Sequence, residues 1–170
     1  MRYIATPWRE DYVRNVYKNK DCVFCKARRR KSDDESYILC RGSHNFIMLN
    51  KFPYTTGHLM IIPNRHMADF EKATPAASAE FMDMWKLCLK ILRRHYSPHG
   101  FNAGMNLGRC AGAGIAEHFH LHVIPRWTGD SNFLPLLSRT RIIVEDLETT
   151  YERLKPLFNK NMTRLSKDSI

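Results

Sequence analysis

The chain is 170 residues long, 44% hydrophobic and 26% charged, a composition that builds one packed core and excludes a disordered chain. Its 27 Lys and Arg against 17 Asp and Glu give +10, and residues 1–31, with ten basic and three acidic side chains, carry +7 of it, which points to an anionic partner. No apolar run approaches the roughly 18–20 residues that span a bilayer, the N-terminus has no secretory pattern, and five Cys lack framework spacing, so the expected setting is reduced and cytoplasmic, off the membrane.

In chain order, Cys22-Val23-Phe24-Cys25 leads into residues 26–36, a charge block without an apolar anchor that reads as a solvated loop. Residues 37–41, 45–50 and 58–63 are short runs rich in Ile, Leu, Met and Phe. Turn formers at 41–43 and 53–57 separate them, which predicts an antiparallel meander. From Thr74 to Tyr96 the period lengthens: Phe81, Met84, Trp85, Cys88, Leu89, Leu92 and Tyr96 describe one apolar face of a helix. Thr74 suits its N-cap, with Pro75 in the first turn, and Pro98 and Gly100 close it. Strands are predicted at 101–107 and 118–125, then a helix over 145–158 with Leu147, Tyr151, Leu154 and Phe158 on one face. Residues 159–170 read as a flexible tail. Together these give an α+β domain over residues 1–158, with its basic arm and charged loop in 1–36: a mostly antiparallel sheet, a long helix packed on it and a C-terminal helix.

The informative segment is His118-Phe119-His120-Leu121-His122-Val123-Ile124. In extended backbone alternate side chains share a face, so three imidazoles line one side while Phe119, Leu121 and Val123 take the apolar other. A purely structural strand has no use for three imidazoles in register, because each buried ring needs its own hydrogen-bond partners. Two chemistries use such a row: chelation of a catalytic zinc that activates water, or a nucleophilic central imidazole with orienting neighbours. Upstream, residues 106–115 (Asn-Leu-Gly-Arg-Cys-Ala-Gly-Ala-Gly-Ile) join two strands through small residues whose N–H groups can cradle phosphate. A phosphate cradle beside an imidazole row favours phosphorus chemistry by a His nucleophile.

These residues resemble the histidine-triad signature, His-apolar-His-apolar-His-apolar-apolar. Thr6-Pro7-Trp8-Arg9, Asn50-Lys51-Phe52-Pro53-Tyr54, Gly57-His58, Pro63-Asn64-Arg65-His66, Pro125-Arg126-Trp127 and Gly129-Asp130-Ser131-Asn132-Phe133 extend the resemblance over residues 3–158. It is nearest the branch holding diadenosine tetraphosphate phosphorylases and dinucleoside polyphosphate hydrolases. The resemblance implies a five-stranded antiparallel sheet, a nucleotide cleft, and a homodimer joined sheet to sheet.

Carried over by position, His120 is the nucleophile that takes a nucleotidyl group at its α-phosphorus. His122 hydrogen-bonds a phosphate oxygen and, if protonated, assists the leaving group; His118 completes the triad. The resemblance places Asn50 at the ribose hydroxyls, Asn106 with Gly112, Ala113 and Gly114 at the phosphates, and His58 either near the nucleotide or as a buried support. Asp130 and Asn132 lie near the leaving group or shape the turn. Many hydrolysing relatives carry Gln four residues before the first triad His, then Ser or Thr; Gly114 and Ile115 stand there instead. The space so opened predicts inorganic phosphate as acceptor, giving ADP and ATP from diadenosine tetraphosphate. The alternatives are AMP-releasing hydrolysis, or a nucleotide-binding sensor with incidental turnover.

The two-residue gap between Cys22 and Cys25 lets both thiolates reach one tetrahedral metal, while a redox reading wants a helix starting after the first Cys. By similarity to uridylyltransferase relatives the remaining ligands are His66 and His118, with His44 as runner-up, and the metal is a structural zinc. Arg28-Arg29-Arg30-Lys31 lacks interleaved aromatics and a recognition module. A solvated face that draws polyanions towards the cleft is therefore preferred to nucleic-acid binding.

Overall fold

A computed structural model of the chain describes residues 21–130 and 145–165; the motif at Trp8-Arg9, Asn132 and residues 166–170 lie outside them. Five strands, β1 (Ile38–Arg41), β2 (Asn45–Leu49), β3 (Leu59–Pro63), β4 (Gly100–Gly104) and β5 (Leu121–Arg126), form one sheet. Its order is β1-β2-β3-β5-β4 and every pairing is antiparallel, with Leu59 opposite Val123, and Met60 and Gly104 on either side of His122. Among the described residues three α-helices, α1 (Val23–Arg29), α2 (Pro75–Tyr96) and α3 (Leu147–Leu165), cover it. This is the α+β architecture that the periodicities predict.

Both faces of the sheet are buried, which is why β2 and β3 read as unbroken apolar runs rather than as alternating ones. On one face Leu39, Ile47, Leu49, Leu59, Ile61, Leu121 and Val123 meet Phe81, Met84, Cys88 and Leu92 of α2 and Leu154 and Phe158 of α3. On the other, Phe24 and Ala27 of α1 sit over Ile38, Phe46, Met48, Met60 and Ile62. Each fully buried Leu, Ile or Phe contributes roughly 1.5–3 kcal/mol, so the first layer carries most of the stability. The second carries the site.

α2 begins as its sequence dictates, with the Thr74 hydroxyl accepting from the Ala77 N–H at 3.2 Å and Pro75 at the first helical position. One turn on, the Glu80 carboxylate accepts from the N–H groups of Ser43 and His44 and from Asn45 Nδ2, at 2.7–2.8 Å, and so fastens the β1–β2 turn to the helix. At the opposite edge Lys155 of α3 donates to Asp33 at 2.6 Å and to the Ile38 carbonyl at 2.9 Å, and Tyr151 donates to the same carbonyl. Those contacts satisfy part of the β1 edge that would otherwise remain open for pairing.

Four expectations need correction. The charge block is not all loop: α1 runs to Arg29 and a 3₁₀ turn spans Asp34–Ser36. Phe24 and Ala27, three residues apart, supply the buried face that composition hides. The predicted strand over 101–107 leaves the ladder after Gly104, and the strand expected from 118 joins it only at Leu121. The last helix continues to Leu165, seven residues past its expected end, with Met162 packed on the core and Asn161 Nδ2 donating to the Leu157 carbonyl at 2.8 Å. That stretch of the expected tail is helical because its apolar period simply continues. Among the described residues no helix is long and apolar enough to cross a membrane.

Candidate functional site

The triad enters the sheet from a bend. His118, Phe119 and His120 precede β5, and His122 lies on it. The partition of side chains is nonetheless that of extended backbone. Phe119 stacks with Phe70 and Phe81 on the helix side, whereas His118 and His120 meet Phe24 on the α1 side. The Phe119 N–H donates to the Met67 carbonyl at 2.8 Å, which holds the approach to the strand in place.

Hydrogen-bond partners fix the tautomer of each ring, because a carbonyl only accepts and a backbone N–H only donates. His120 Nδ1 lies 3.1 Å from the His118 carbonyl and therefore carries the proton, leaving Nε2 with a bare lone pair. His118 Nε2 lies 2.9 Å from the Pro63 carbonyl, so the lone pair is on Nδ1. His58 Nδ1 accepts from the Tyr54 N–H at 3.1 Å, so Nε2–H donates to His122 Nδ1 at 2.9 Å. His122 is thereby left with its proton on Nε2. Adjacent rings, with centroids 4.8 Å apart, present opposite polarities: an acceptor nitrogen on His120 and a donor on His122.

Burial favours the neutral form of His58, His120 and His118. His58 is 1% exposed, and desolvation, reinforced by His122 and His120, lowers its pKa to about 3. Burial likewise lowers His120, against the opposing pull of the His118 carbonyl. His118 falls to about 4, chiefly through burial, which outweighs the Pro63 carbonyl.

The loop from Asn50 to His58 is built to hold this chain of rings. Asn50 N–H donates to the His58 carbonyl at 2.9 Å, Asn50 Oδ1 accepts from the Phe52 N–H at 2.9 Å, and Gly57 turns the chain at φ +74°. The Asn50 amide nitrogen lies 3.4 and 3.5 Å from the two ring nitrogens of His58, so a ribose contact would come from a residue already serving the loop. His58 is buried and bridges the Tyr54 N–H and His122 Nδ1. Tyr54, whose ring lies 4.8 Å from His58 and 6.2 Å from His122, joins this chain of rings as an aromatic neighbour.

In the loop before the triad, Gly108 and Gly112 take φ of +85° and +88° around a 3₁₀ turn at Arg109–Ala111. Asn106 Nδ2 donates to the Gly112 carbonyl at 3.3 Å and so braces the loop. Asp130 Oδ2 accepts from Arg126 Nε at 2.7 Å and from the Trp127 N–H at 3.0 Å, so it shapes the turn.

Four donors converge beside the triad. The ligand atoms of Cys22, Cys25, His66 and His118 all lie within 4.8 Å of one another. His118 Nδ1 is 3.3 Å from Cys22 Sγ and 3.7 Å from Cys25 Sγ, and His66 Nδ1 is 3.5 Å from Cys25 Sγ. A tetrahedral zinc with ordinary Zn–S and Zn–N bonds has S–N edges of about 3.6 Å, so the donor set fits. His66 is the fourth donor of the cluster, and the runner-up His44 is not among its members. Contrary to the sequence expectation, a helix does start directly after Cys22. Burial nevertheless raises the Cys22 thiol, the opposite of an activated redox cysteine.

Sequence reasoning missed Phe24, whose ring lies 4.9 Å from His120. Its only signal was its place between the two thiols.

Comparison with known proteins finds one family. The model of the HIT domain matches residues 31–129, more than half of the chain. An AP-4-A phosphorylase of Mycobacterium tuberculosis is 40% identical over 119 residues, which cover 70% of this chain and 61% of that protein. The chain thus spans about three fifths of that relative's length. The protein named hit of Bacillus subtilis is 26% identical over 114 residues, covering 67% of this chain and 77% of that one. Among solved structures, a zinc-bound histidine triad family protein of Mycobacterium smegmatis superposes with a TM-score of 0.64 at 24% identity, over 85% of this chain and 97% of its own. A hypothetical histidine triad nucleotide-binding protein of Sulfolobus tokodaii gives the same TM-score at 26% identity, covering 85% of this chain and 93% of its own.

Proposed function

We propose that this chain, which belongs to the HIT domain family, is a nucleotidyl-transferring enzyme that cleaves dinucleoside polyphosphates through a nucleotidyl-histidine. The observation that carries the reading is the pair of opposed tautomers. His120 offers a lone pair on Nε2 and His122 offers an N–H on Nε2, two residues apart on one face of the sheet.

In the first step the His120 Nε2 lone pair attacks the α-phosphorus. A P–N bond forms, the bond to the bridging oxygen breaks, and the electron pair leaves with the nucleoside polyphosphate. His122 Nε2–H, together with backbone N–H groups of the 106–114 loop, stabilises charge on the phosphoryl oxygens. His122 acts in this reading as a hydrogen-bond donor to a phosphate oxygen, as the resemblance implies, with His58 Nε2–H on its Nδ1. A polyphosphate leaves as an anion without needing a proton from His122.

In the second step an acceptor oxygen attacks the same phosphorus and the P–N bond breaks, restoring His120. Inorganic phosphate is the acceptor in this reading. It arrives as an oxyanion, whereas water must give up a proton beside an imidazole whose Nδ1 is taken. Diadenosine tetraphosphate would then yield ATP in the first step and ADP in the second. The 40% identical relative bears the name of such a phosphorylase, which supports the choice. Hydrolysis to AMP and ATP is the second reading.

Cys22, Cys25, His66 and His118 would hold a zinc whose contribution is structural, since four protein ligands leave no open position for water. A homodimer belongs to the same reading. β4 is a sheet edge exposed over residues 102–104, where a second copy could continue the sheet.

The test is product analysis of diadenosine tetraphosphate with and without inorganic phosphate, using His120→Asn as the control. ADP plus ATP only with phosphate, abolished in the variant, is the expected result. AMP plus ATP without phosphate would replace the acceptor, and full turnover by His120→Asn would sink the nucleophile.

A further inference from the structure

The residue between the two thiols has no part in the phosphate chemistry above, yet it touches two of the three triad rings. Phe24 is buried; its ring lies 4.9 Å from that of His120 at 60°, and 5.5 Å from that of His118 edge-on at 88°. We infer that Phe24 is a positioning residue that holds the His120 ring with Nδ1 on the His118 carbonyl and Nε2 bare, an inference that rests on His120 being the nucleophile.

The χ2 torsion of His is broad and roughly two-fold, so contacts rather than the bond itself decide which way the ring faces. Rotating His120 by half a turn would put a carbon where Nδ1 now donates, and would move the basic nitrogen out of line. Against that rotation stand the 3.1 Å hydrogen bond to His118 and two aromatic neighbours, Phe24 and the ring of His122 at 4.8 Å.

Phe24 itself cannot drift. Cys22 and Cys25 flank it, their Sγ atoms 3.3 and 3.7 Å from His118 Nδ1. Ala27, one turn on, is buried in the same cluster, and the Arg28 carbonyl accepts from Arg41 Nη1 at 2.9 Å. The thiol–imidazole cluster therefore reaches the nucleophile through the Phe24 ring as well as through the two-residue step from His118. That gives the short α1 helix a task in the rate as well as in the fold.

Phe24→Leu keeps an apolar side chain and removes the ring plane; Phe24→Met, close in reach, is read in the same way if Leu prevents folding. Thermal unfolding and bound-metal content, compared with wild type, establish that α1 remains docked. Nitrogen-15 spectra of the imidazoles then report the His120 tautomer without substrate. The wild type is expected to hold the proton on Nδ1, and the variants to show both tautomers. The kcat is expected to fall about five- to tenfold, within the range that one aromatic contact controls, with KM changed less than twofold. An unchanged tautomer and kcat with a raised KM would overturn the inference and make Phe24 a wall of the nucleotide site. Because the tautomer is read in the free protein, it tests the positioning even where the wild type turns over no dinucleotide. That outcome would count against the proposed function alone.

Discussion

Replacing His58 by Gln separates a ring that is merely buried from one whose neutrality is built into the fold. In the folded chain burial, with His122 and His120, lowers the His58 pKa from the ordinary 6.5 to about 3. The folded protein therefore leaves His58 unprotonated at pH 4.5, while the unfolded chain protonates it. Below 6.5 the unfolded state binds the extra proton, so this ring's contribution is complete above pH 6.5 and declines as the pH falls towards 3. Between pH 7.5 and 4.5 the loss amounts to two pH units of linkage, about 2.7 kcal/mol. Solvent does not screen it, since His58 is 1% exposed.

Gln keeps a donor and an acceptor near Tyr54 N–H and His122 Nδ1 but does not titrate. At pH 7.5 His58→Gln should be about 1–2 kcal/mol less stable than wild type, from imperfect replacement of two buried hydrogen bonds. At pH 4.5 the order should reverse. Urea unfolding of both proteins at the two pH values measures the change in the gap, and every group that titrates equally in both cancels. A gap that stays constant within about 0.5 kcal/mol would refute the reasoning, because His58 would then be protonated alike in the two states.

Three further outcomes are expected. For Asp33, burial opposes ionisation but hydrogen bonds from Lys155 and Arg41 outweigh it and hold the carboxyl below its usual value. Asp33→Asn should cost about 1–2 kcal/mol in urea at pH 7, with the gap closing as the pH falls through that lowered value; a constant gap would deny the linkage. Zinc analysis should give about one metal per chain for wild type and near none for Cys22→Ser or Cys25→Ser, with lower thermal midpoints, whereas equal metal content would remove the thiols from the site. Gly114→Gln fills the position that the small residue leaves open before the triad. It should lower the ratio of phosphorolysis to hydrolysis about tenfold, a 1.4 kcal/mol bias between acceptors, and an unchanged ratio would dismiss the space at Gly114 as its cause.

Elements with a strong period were legible. The α2 helix and its Thr74 cap follow from side-chain spacing and one hydroxyl, and the three-strand meander from apolar runs between turn formers. α1 was not legible, because two apolar residues in a basic stretch set no period and its stability comes from the sheet beneath it. The exit of β4 at Gly104 was missed for a related reason: residues 105–107 continue the composition of the strand, and only the turn at Gly108 draws them off the ladder. The Cys and His cluster illustrates a third case. The Cys pair can be seen in sequence, but His66 and His118 join it through the fold, across sequence separations of 41 and 96 residues.

The polarity of the site lies one level further from the sequence. His120 and His122 are the same residue type on the same face, and their composition alone does not say which ring offers an acceptor nitrogen and which a donor. The distinction comes from what meets each Nδ1: a carbonyl at His120, an imidazole N–H at His122. That N–H is itself dictated by the Tyr54 backbone amide, which occupies the other nitrogen of His58. A loop closed by Asn50 and turned at Gly57 thus decides, through one buried ring, which nitrogen of His122 carries its proton. Changing that loop would alter the donor while leaving every residue of the triad in place.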